Sequence, residues 1–332
     1  MFGRRRVLIT TVAVTAVGVT VLSLIGRTLP VSNIVGLALS VGSAYAPFIA
    51  LGGLVLSALS RRIVLVVAAV LVMTTTVALQ VPRYFSSRPS AGSAVDLRVL
   101  SSNLRKGQAD ATPFVTLAKT SADVVTASEL TPEAAQAFSR AGMGEAFPYA
   151  VLFPAPDSGG IGLWSRYPLT PTSPTINGDL LTAVAHVAVP GVSTAPLIAS
   201  VHIISPLAFG QISVDRWEVG IADAKSLLDG FSSNAGRASV IVAGDFNTTP
   251  DIQQFRELLT NGYRDAADQA GVGFVPTFPA DSALPPVLAI DHVITRGATA
   301  TSLKATDVPG SDHRALLVTV RLPAMLAQTD GG

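Results

Sequence analysis

Apolar residues follow two different patterns along this chain. Up to about residue 81 they form long unbroken runs, and beyond residue 96 they form short segments that end in polar residues. The first region holds three runs, at residues 7–25, 31–59 and 63–81, and none contains a charged side chain. A helix of about 19 residues at ~1.5 Å each spans roughly the ~30 Å hydrocarbon core of a bilayer. A buried helix of a soluble protein would show a charged face, and none of the three does. A cleaved signal peptide is the rival reading of the first run. Signal cores are shorter, however, and two more apolar runs follow instead of a cleavage site and a soluble domain. The pattern predicts three transmembrane helices over residues 1–81.

Charge sets the expected orientation. Arg4, Arg5 and Arg6 precede the first run, Arg61 and Arg62 separate the second from the third, and Arg27 alone marks the first loop. Clustered arginines stay in the cytoplasm. Three spans from a cytoplasmic start deliver residue 82 onward to the outside, with Arg83 and Arg88 as counter-signals. Residues 82–95, rich in Ser, Pro and Gly, read as a linker. Residues 96–325 read as one soluble domain and 326–332 as a disordered tail.

Within 96–325 the alternation predicts strands at 97–103, 122–129, 149–153, 161–165, 181–189, 196–202, 238–245, 287–294, 302–306 and 315–322. Helices are expected from Pro113, from Thr131 as N-cap with Pro132 in the first turn, over 214–231 and over 251–259. Interspersed strands and helices with several hairpin-like pairs indicate an α/β sandwich of two sheets.

Composition sharpens this division. The 332 residues are 49% hydrophobic and only 14% charged, against about 25% charged in a soluble domain. Residues 1–95 hold eight basic residues and no acidic one, so the remainder carries 15 basic and 22 acidic residues, a net −7. An acidic domain is poorly suited to gripping a long nucleic acid. The absence of cysteine excludes disulfides, thiolate catalysis and Cys-ligated zinc.

Candidate chemistry sits at the predicted strand ends: Asn103, Glu129, His202, Asp245 with Asn247, Asp291 with His292, and Asp312 with His313. Polar residues there aim into a cleft from a rigid base. The strongest local signal is Val242-Ala-Gly-Asp-Phe-Asn247, an apolar strand that places an acid and an amide on one side of the chain.

Seven blocks in order carry a resemblance: Ser101-Ser-Asn103-Leu, Ser128-Glu129-Leu, Gly162-Leu-Trp-Ser-Arg166-Tyr-Pro168-Leu, Val201-His202, Gly244-Asp245-Phe-Asn247, Ile290-Asp291-His-Val293 and Ser311-Asp312-His313-Arg. Over residues 96–322 the chain resembles the endonuclease/exonuclease/phosphatase superfamily, relatives of DNase I, apurinic endonucleases and neutral sphingomyelinases. The resemblance implies a DNase I-like four-layer α/β sandwich and a divalent cation, Mg²⁺ with Mn²⁺ as the substitute. Glu129 would be the main ligand, with Asn103 beside it and Asp312 direct or through water. It further implies Asp245 and His313 as an acid/base pair acting on water, and Asp291 orienting His313. Asn247 would hold a phosphate oxygen, and His202 would contact the phosphate or the leaving oxygen. Two departures stand out: Ser128 replaces the frequent Gln before the metal-binding Glu, and Ile-Ile-Ser-Pro follows His202. Neither removes a metal or base group. Arg166, Trp164 and Trp217 read as structural, His186 as strand surface, and His292 as pointing away from the cleft.

The expected activity is hydrolysis of a phosphate ester outside the cytoplasm by in-line attack of water. A lipid head group or isoprenoid phosphate fits both the tether and the acidic domain. An extracellular nuclease is less favoured because few basic residues (Arg105, Lys106, Arg166, Arg314) lie nearby. An inactive scaffold in a membrane complex is the non-catalytic alternative, against which the intact residue set argues. No protein partner is inferable.

Overall fold

A computed structural model describes residues 2–86, 92–172, 180–207 and 213–325. The 326–332 tail and the 87–91 part of the expected linker, including Arg88, lie outside the described residues. The first region is helical: α1 (Phe2–Thr28), α2 (Ile34–Gly42), α3 (Ala46–Ser60) and α4 (Ile63–Gln80). Three stretches, Arg4–Thr28, Ile34–Ser60 and Ile63–Tyr84, are long and apolar enough to cross a membrane. The middle run, expected to be one helix, is divided by a 3-10 turn at Ser43–Tyr45. Pro47 follows in the first turn of α3, where a missing N–H costs nothing. Asn33 caps α2 by accepting from Val35 N and Gly36 N. Gly26 permits close packing of α1 on α2, since a Cβ there would lie 2.8 Å from Leu39 Cβ. Many large side chains in this region face outward, among them Val7, Phe48, Val64 and Leu71.

The sandwich begins with β1 (Ala94–Asn103), α5 (Ala111–Ser121), β2 (Val124–Ser128), α6 (Pro132–Arg140), α7 (Met143–Ala146), β3 (Tyr149–Phe153), β4 (Ile161–Ser165) and β5 (Leu169–Pro171). It continues with β6 (Leu181–Val187), β7 (Leu197–His202), α8 (Val214–Asn234), β8 (Val240–Asp245), α9 (Gln253–Leu258), β9 (Arg264–Asp265), α10 (Ala266–Ala270), β10 (Asp291–Arg296), β11 (Thr299–Asp307) and β12 (Arg314–Pro323). One sheet runs β11-β12-β1-β2-β4-β3 and the other β5-β6-β7-β8-β10-β9. Val99, Leu163, Ile198, Ile241 and Val318 fill the core between them. α5 and α6 cover the outer face of the first sheet through Phe114 and Phe138. α8 and α9 cover the second through Trp217, Leu228 and Phe255. The architecture is the expected four-layer α/β sandwich. The short β5, β9, α7 and α10 were not anticipated.

Each sheet has one parallel pair near its centre, β1 with β2 and β7 with β8. Register places Asn103 opposite Ser128, and His202 opposite Asp245. The antiparallel β10 adds Asp291 opposite Asp245. The carboxyl ends of both parallel pairs therefore open on the same end of the sandwich.

The helices are not loosely joined to the sandwich. Arg27 of α1 pairs with buried Asp251, which Gln80 also reaches at 3.3 Å. Arg83 lies 3.7 Å from Asp251 and 3.2 Å from Asp268. The Gln254 amide bonds both backbone groups of Val31, at 3.1 and 2.9 Å. Arg83, a counter-signal in the orientation argument, is thus engaged by the sandwich, and residues 82–86 are a docked segment, not a free linker. The expected helix at 251–259 starts later, at Gln253, which leaves Asp251 free to receive these partners.

Candidate active site

At the end of β8, Gly244 adopts φ +154, and a Cβ there would lie 1.9 Å from Val201 O. Only glycine allows the parallel neighbour to pass this close, and the following Asp245 is fixed by it. Asp245 is fully buried; its Oδ2 accepts from Asn103 Nδ2 at 2.9 Å and its Oδ1 from the backbone N–H of Asn247 at 2.8 Å. Burial and the nearby Asp291 charge push the Asp245 carboxyl up to about 6, against the opposing charges of His313 and His202.

His313 Nδ1 lies 2.8 Å from Asp291 Oδ2, and its Nε2 lies 3.8 Å from Asp245 Oδ2. Burial alone would lower the imidazole, but the Asp291 and Asp245 charges outweigh it and raise His313 to about 10. The two carboxylates thus favour its protonated form. Phe278 packs over it with ring centroids 4.8 Å apart. Ser311, to which no role was given from sequence, accepts from His313 N and donates to Asn103 O, tying the two strand ends together.

Glu129 sits at φ +59 and Asn247 at φ +47, unfavourable backbone for non-glycine residues. Glu129 Oε2 accepts from Lys106 N at 2.7 Å, while its Oε1 lies 3.2 Å from Asn103 Nδ2 and 3.7 Å from His202 Nε2. His202 Nε2 is also 3.9 Å from Asp245 Oδ2. Asn247 donates one amide hydrogen to Ile203 O at 2.8 Å, leaving the second of its two N–H groups for another acceptor. Burial raises the Asp312 carboxyl, partly offset by His313.

The residues singled out from sequence converge. Glu129, His202, Asp245, Asn247, Asp312 and His313 line one cavity of about 780 Å³, the size range of small-molecule sites, roughly 300–1,000 Å³. Asp291 backs His313 from behind it. Asn103 departs from its expected place: its oxygen accepts from Arg105 N, and its nitrogen faces Glu129 and Asp245. In this arrangement Asn103 joins the two carboxylates through its nitrogen.

Two groupings bear on a cation. Asp245, Asp291 and His313 have ligand atoms all within 4.8 Å of one another and could together hold a metal ion. Glu129 and Asp312, which also line the cavity, carry hard oxygen donors of the kind a divalent cation such as Mg²⁺ takes together with retained waters. Asp291 Oδ1 is buried without a partner, and the carboxylates outnumber the imidazoles. The residues fit a hard divalent cation.

Other readings resolve structurally. His292 is buried away from the cavity, with Nδ1 2.7 Å from Asp265 Oδ2 and Nε2 3.0 Å from Thr248 O. Arg166 donates to the carbonyls of Ala122, Lys119 and Ala146. Trp164 and Trp217 are core residues. The ring of half-buried His186 lies 3.3 Å from Ala195 O through its Nδ1.

Among solved structures, an endonuclease/exonuclease/phosphatase from Beutenbergia cavernae superposes with TM-score 0.50 at 20% identity, covering 69% of this chain and 72% of that one. A humanized D. rerio TDP2 gives 0.54 at 19%, covering 68% and 98%. D. rerio TDP2 complexed with a single-strand DNA product gives 0.52 at 19%, covering 68% and 98%. These likenesses concern the fold. No curated protein matches the chain. The model of the Endonuclease/Exonuclease/phosphatase family matches residues 84–313, more than half of the sequence. With that match, and with the acid–imidazole cluster at the sheet ends, the chain belongs to this family and is a hydrolase of phosphate ester bonds.

Proposed function

We propose that this protein is a membrane-anchored, Mg²⁺-dependent phosphoesterase that works on the outer face of the membrane by in-line attack of water. The observation that carries the reading is the line Asp291–His313–Asp245 opening into a cavity that also holds Glu129 and Asp312. A cation held by Glu129 and Asp312 would neutralise charge on the phosphoryl oxygens. Asp245, poised at about 6, is largely ionised at neutral pH yet basic enough to take a proton from water. His313, protonated and held by Asp291, donates to the charge that builds on the phosphoryl or leaving oxygen. Asn247 offers its remaining N–H to a phosphate oxygen, and His202 stands beside Glu129 and Asp245 to contact the same group.

Orientation rests on where the charges gather. Arg6, Arg61 and Arg62 line a common cavity with Thr10 and Thr11, so the basic clusters share one end of the helices. The sandwich docks at the other, through Arg27, Gln80 and Arg83. The positive-inside rule then puts the arginine end in the cytoplasm and the catalytic cavity outside.

A nuclease reading is weaker for this chain. Arg105 is engaged by Asp281 and Asp312, Arg314 by Asp307, and Arg166 by backbone carbonyls. The test is a panel of phosphodiesters and phosphomonoesters, with plasmid DNA included, using the full chain with Mg²⁺ and with EDTA. Turnover that persists in chelator overturns the metal assignment, and plasmid nicking as the dominant activity overturns the preference against nucleic acid. Orientation is read by introducing a single cysteine at Ser139, the chain having none of its own, and labelling intact cells with an impermeant maleimide.

A further inference from the structure

The cavity that holds the catalytic cluster has a wall from an unexpected part of the chain. Ile34, Leu37, Ala38 and Val41 of α2 line it together with Glu129, Asp245 and His313. Their spacing of i, i+3, i+4 and i+7 makes a continuous apolar stripe on one helix face. Ile204, Pro206, Leu207 and Leu288 line the same cavity. Ile34 and Leu207 are exposed, although both border a site built for a phosphate.

α2 is also fixed in place. Leu37 packs in the core that contains Trp217 and Ile252, Ser40 Oγ donates to Gly26 O at 2.9 Å, and Gln254 clamps the backbone of Val31 just before the helix. The stripe is therefore a rigid wall. Contact with the phosphate itself gains nothing from such a wall, which suits an apolar portion of the substrate.

Position explains what would use it. α2 opens the stretch Ile34–Ser60, whose 27 residues exceed the roughly 20 needed to cross a bilayer. The surplus lies at the α2 end, on the side where the sandwich docks. Tyr45 follows at the bend, donating from its hydroxyl to Val287 O, and Tyr84 and Phe85 are exposed at the end of the third stretch. Aromatic residues of this kind mark the level of lipid head groups. With the three stretches in a bilayer, the catalytic cavity would sit at the head-group level, with one wall continuous with the apolar helices.

We propose that the substrate is an amphiphilic phosphate ester drawn from the bilayer, its apolar chain lying along Ile34, Leu37, Ala38 and Val41 while its phosphate meets Asp245 and His313. This rests on the phosphoesterase reading and adds to it the class of substrate and the residues that select it. Water attacks phosphorus, the bond to the leaving oxygen breaks, and that oxygen departs with the electron pair and takes up a proton.

Two probes with the same leaving group test this: dodecyl p-nitrophenyl phosphate and methyl p-nitrophenyl phosphate, assayed with the full chain in nanodiscs and Mg²⁺. The expected kcat/KM ratio, dodecyl over methyl, is at least ~100-fold, several methylenes being buried at once. Ala38→Trp, which fills the groove, and Ile34→Glu, which makes it polar, each lower that ratio by at least ~10-fold, whereas Ile34→Val holds it within a factor of ~3. Partition of the dodecyl probe into the disc is common to all variants, so the change in ratio reports the groove alone. A dodecyl probe with a mid-chain diazirine should label the peptide containing residues 34–41, which reads the site even where a variant folds poorly. A wild-type ratio near one, unchanged ratios in both groove variants, or labelling only elsewhere overturns the inference and leaves the phosphoesterase reading standing. Hydrolysis of neither probe, or of any panel ester, ends both.

Discussion

The helical region and the sandwich use the same apolar residue types in opposite directions. In α1–α4, Val, Leu, Ile and Phe face outward, as at Leu8, Phe48 and Val64. In the sandwich they face inward, as at Val99, Ile241 and Val318. The hydrophobic effect drives apolar area out of water, and the outward set makes sense only where water is replaced by an apolar phase. Where the two regions meet, Val31 and Leu37 enter the core of the sandwich, beside a polar junction in which Arg27, Gln80 and Arg83 converge on one buried carboxylate, Asp251. The sandwich is thereby held at a fixed height over the helices, and its cavity against α2.

Substitutions separate the regions by the size and kind of effect. The largest belongs to the sandwich: Asp245→Ala or His313→Ala should lower kcat at least ~1,000-fold on whichever ester the panel identifies, as expected for loss of a general acid or base. Thermal unfolding of the same variants tells loss of chemistry from loss of fold, and retained turnover removes these residues from the mechanism. The junction comes next. Asp251→Ala leaves Arg27 mostly buried without its carboxylate and Arg83 with Asp268 alone, which should destabilise the docked state by roughly 3–5 kcal/mol. The measurable outcome is faster protease cleavage near residues 82–86 in detergent; an unchanged digestion pattern would mean that apolar packing alone holds the regions together.

A smaller effect concerns pH within the sandwich. Burial opposes both charges of the Asp265–His292 pair, yet their mutual hydrogen bond lowers Asp265 and raises His292. His292 thus contributes stability that is full below its ordinary value of 6.5 and lost as pH rises through its higher folded value. Asp265 contributes stability present above its ordinary 3.8 and lost as pH falls through its lower folded value. The thermal midpoint of the wild type should fall on both sides of this window. In Asp265→Asn the alkaline fall should weaken, and an identical profile in the two proteins would show that other groups govern it. Smallest of all is Arg321→Ala, which breaks an exposed pair with Asp96 at 3.2 Å and should change stability by less than about 1 kcal/mol.

Much of the site was legible because its residues sit at strand ends. Asn103, His202 and Asp245 each close a strand whose apolar alternation is plain, and the family blocks ordered them. What each does locally was less legible. That Asn103 turns its nitrogen toward Glu129 and Asp245 follows from Arg105 N taking its oxygen, a contact set by the αL turn after β1. Ser311 bridges His313 to Asn103 across 208 residues, beyond the reach of any local pattern. Asp251 read as a helical residue, and nothing near it in sequence marks it as the partner of Arg27.

By itself the sequence determined the local matters: which segments are apolar all round, which alternate, where strands stop, and which acid, amide and imidazole groups stand at their ends. Periodicity is a property of neighbours a few residues apart, so it survives in one dimension. Only the tertiary structure decided that Asp251 gathers the ends of α1 and α4, and that the α2 stripe walls the catalytic cavity. Both depend on side chains far apart in the chain meeting in space. An apolar helix face has the same spacing whether it meets lipid, a core or a substrate.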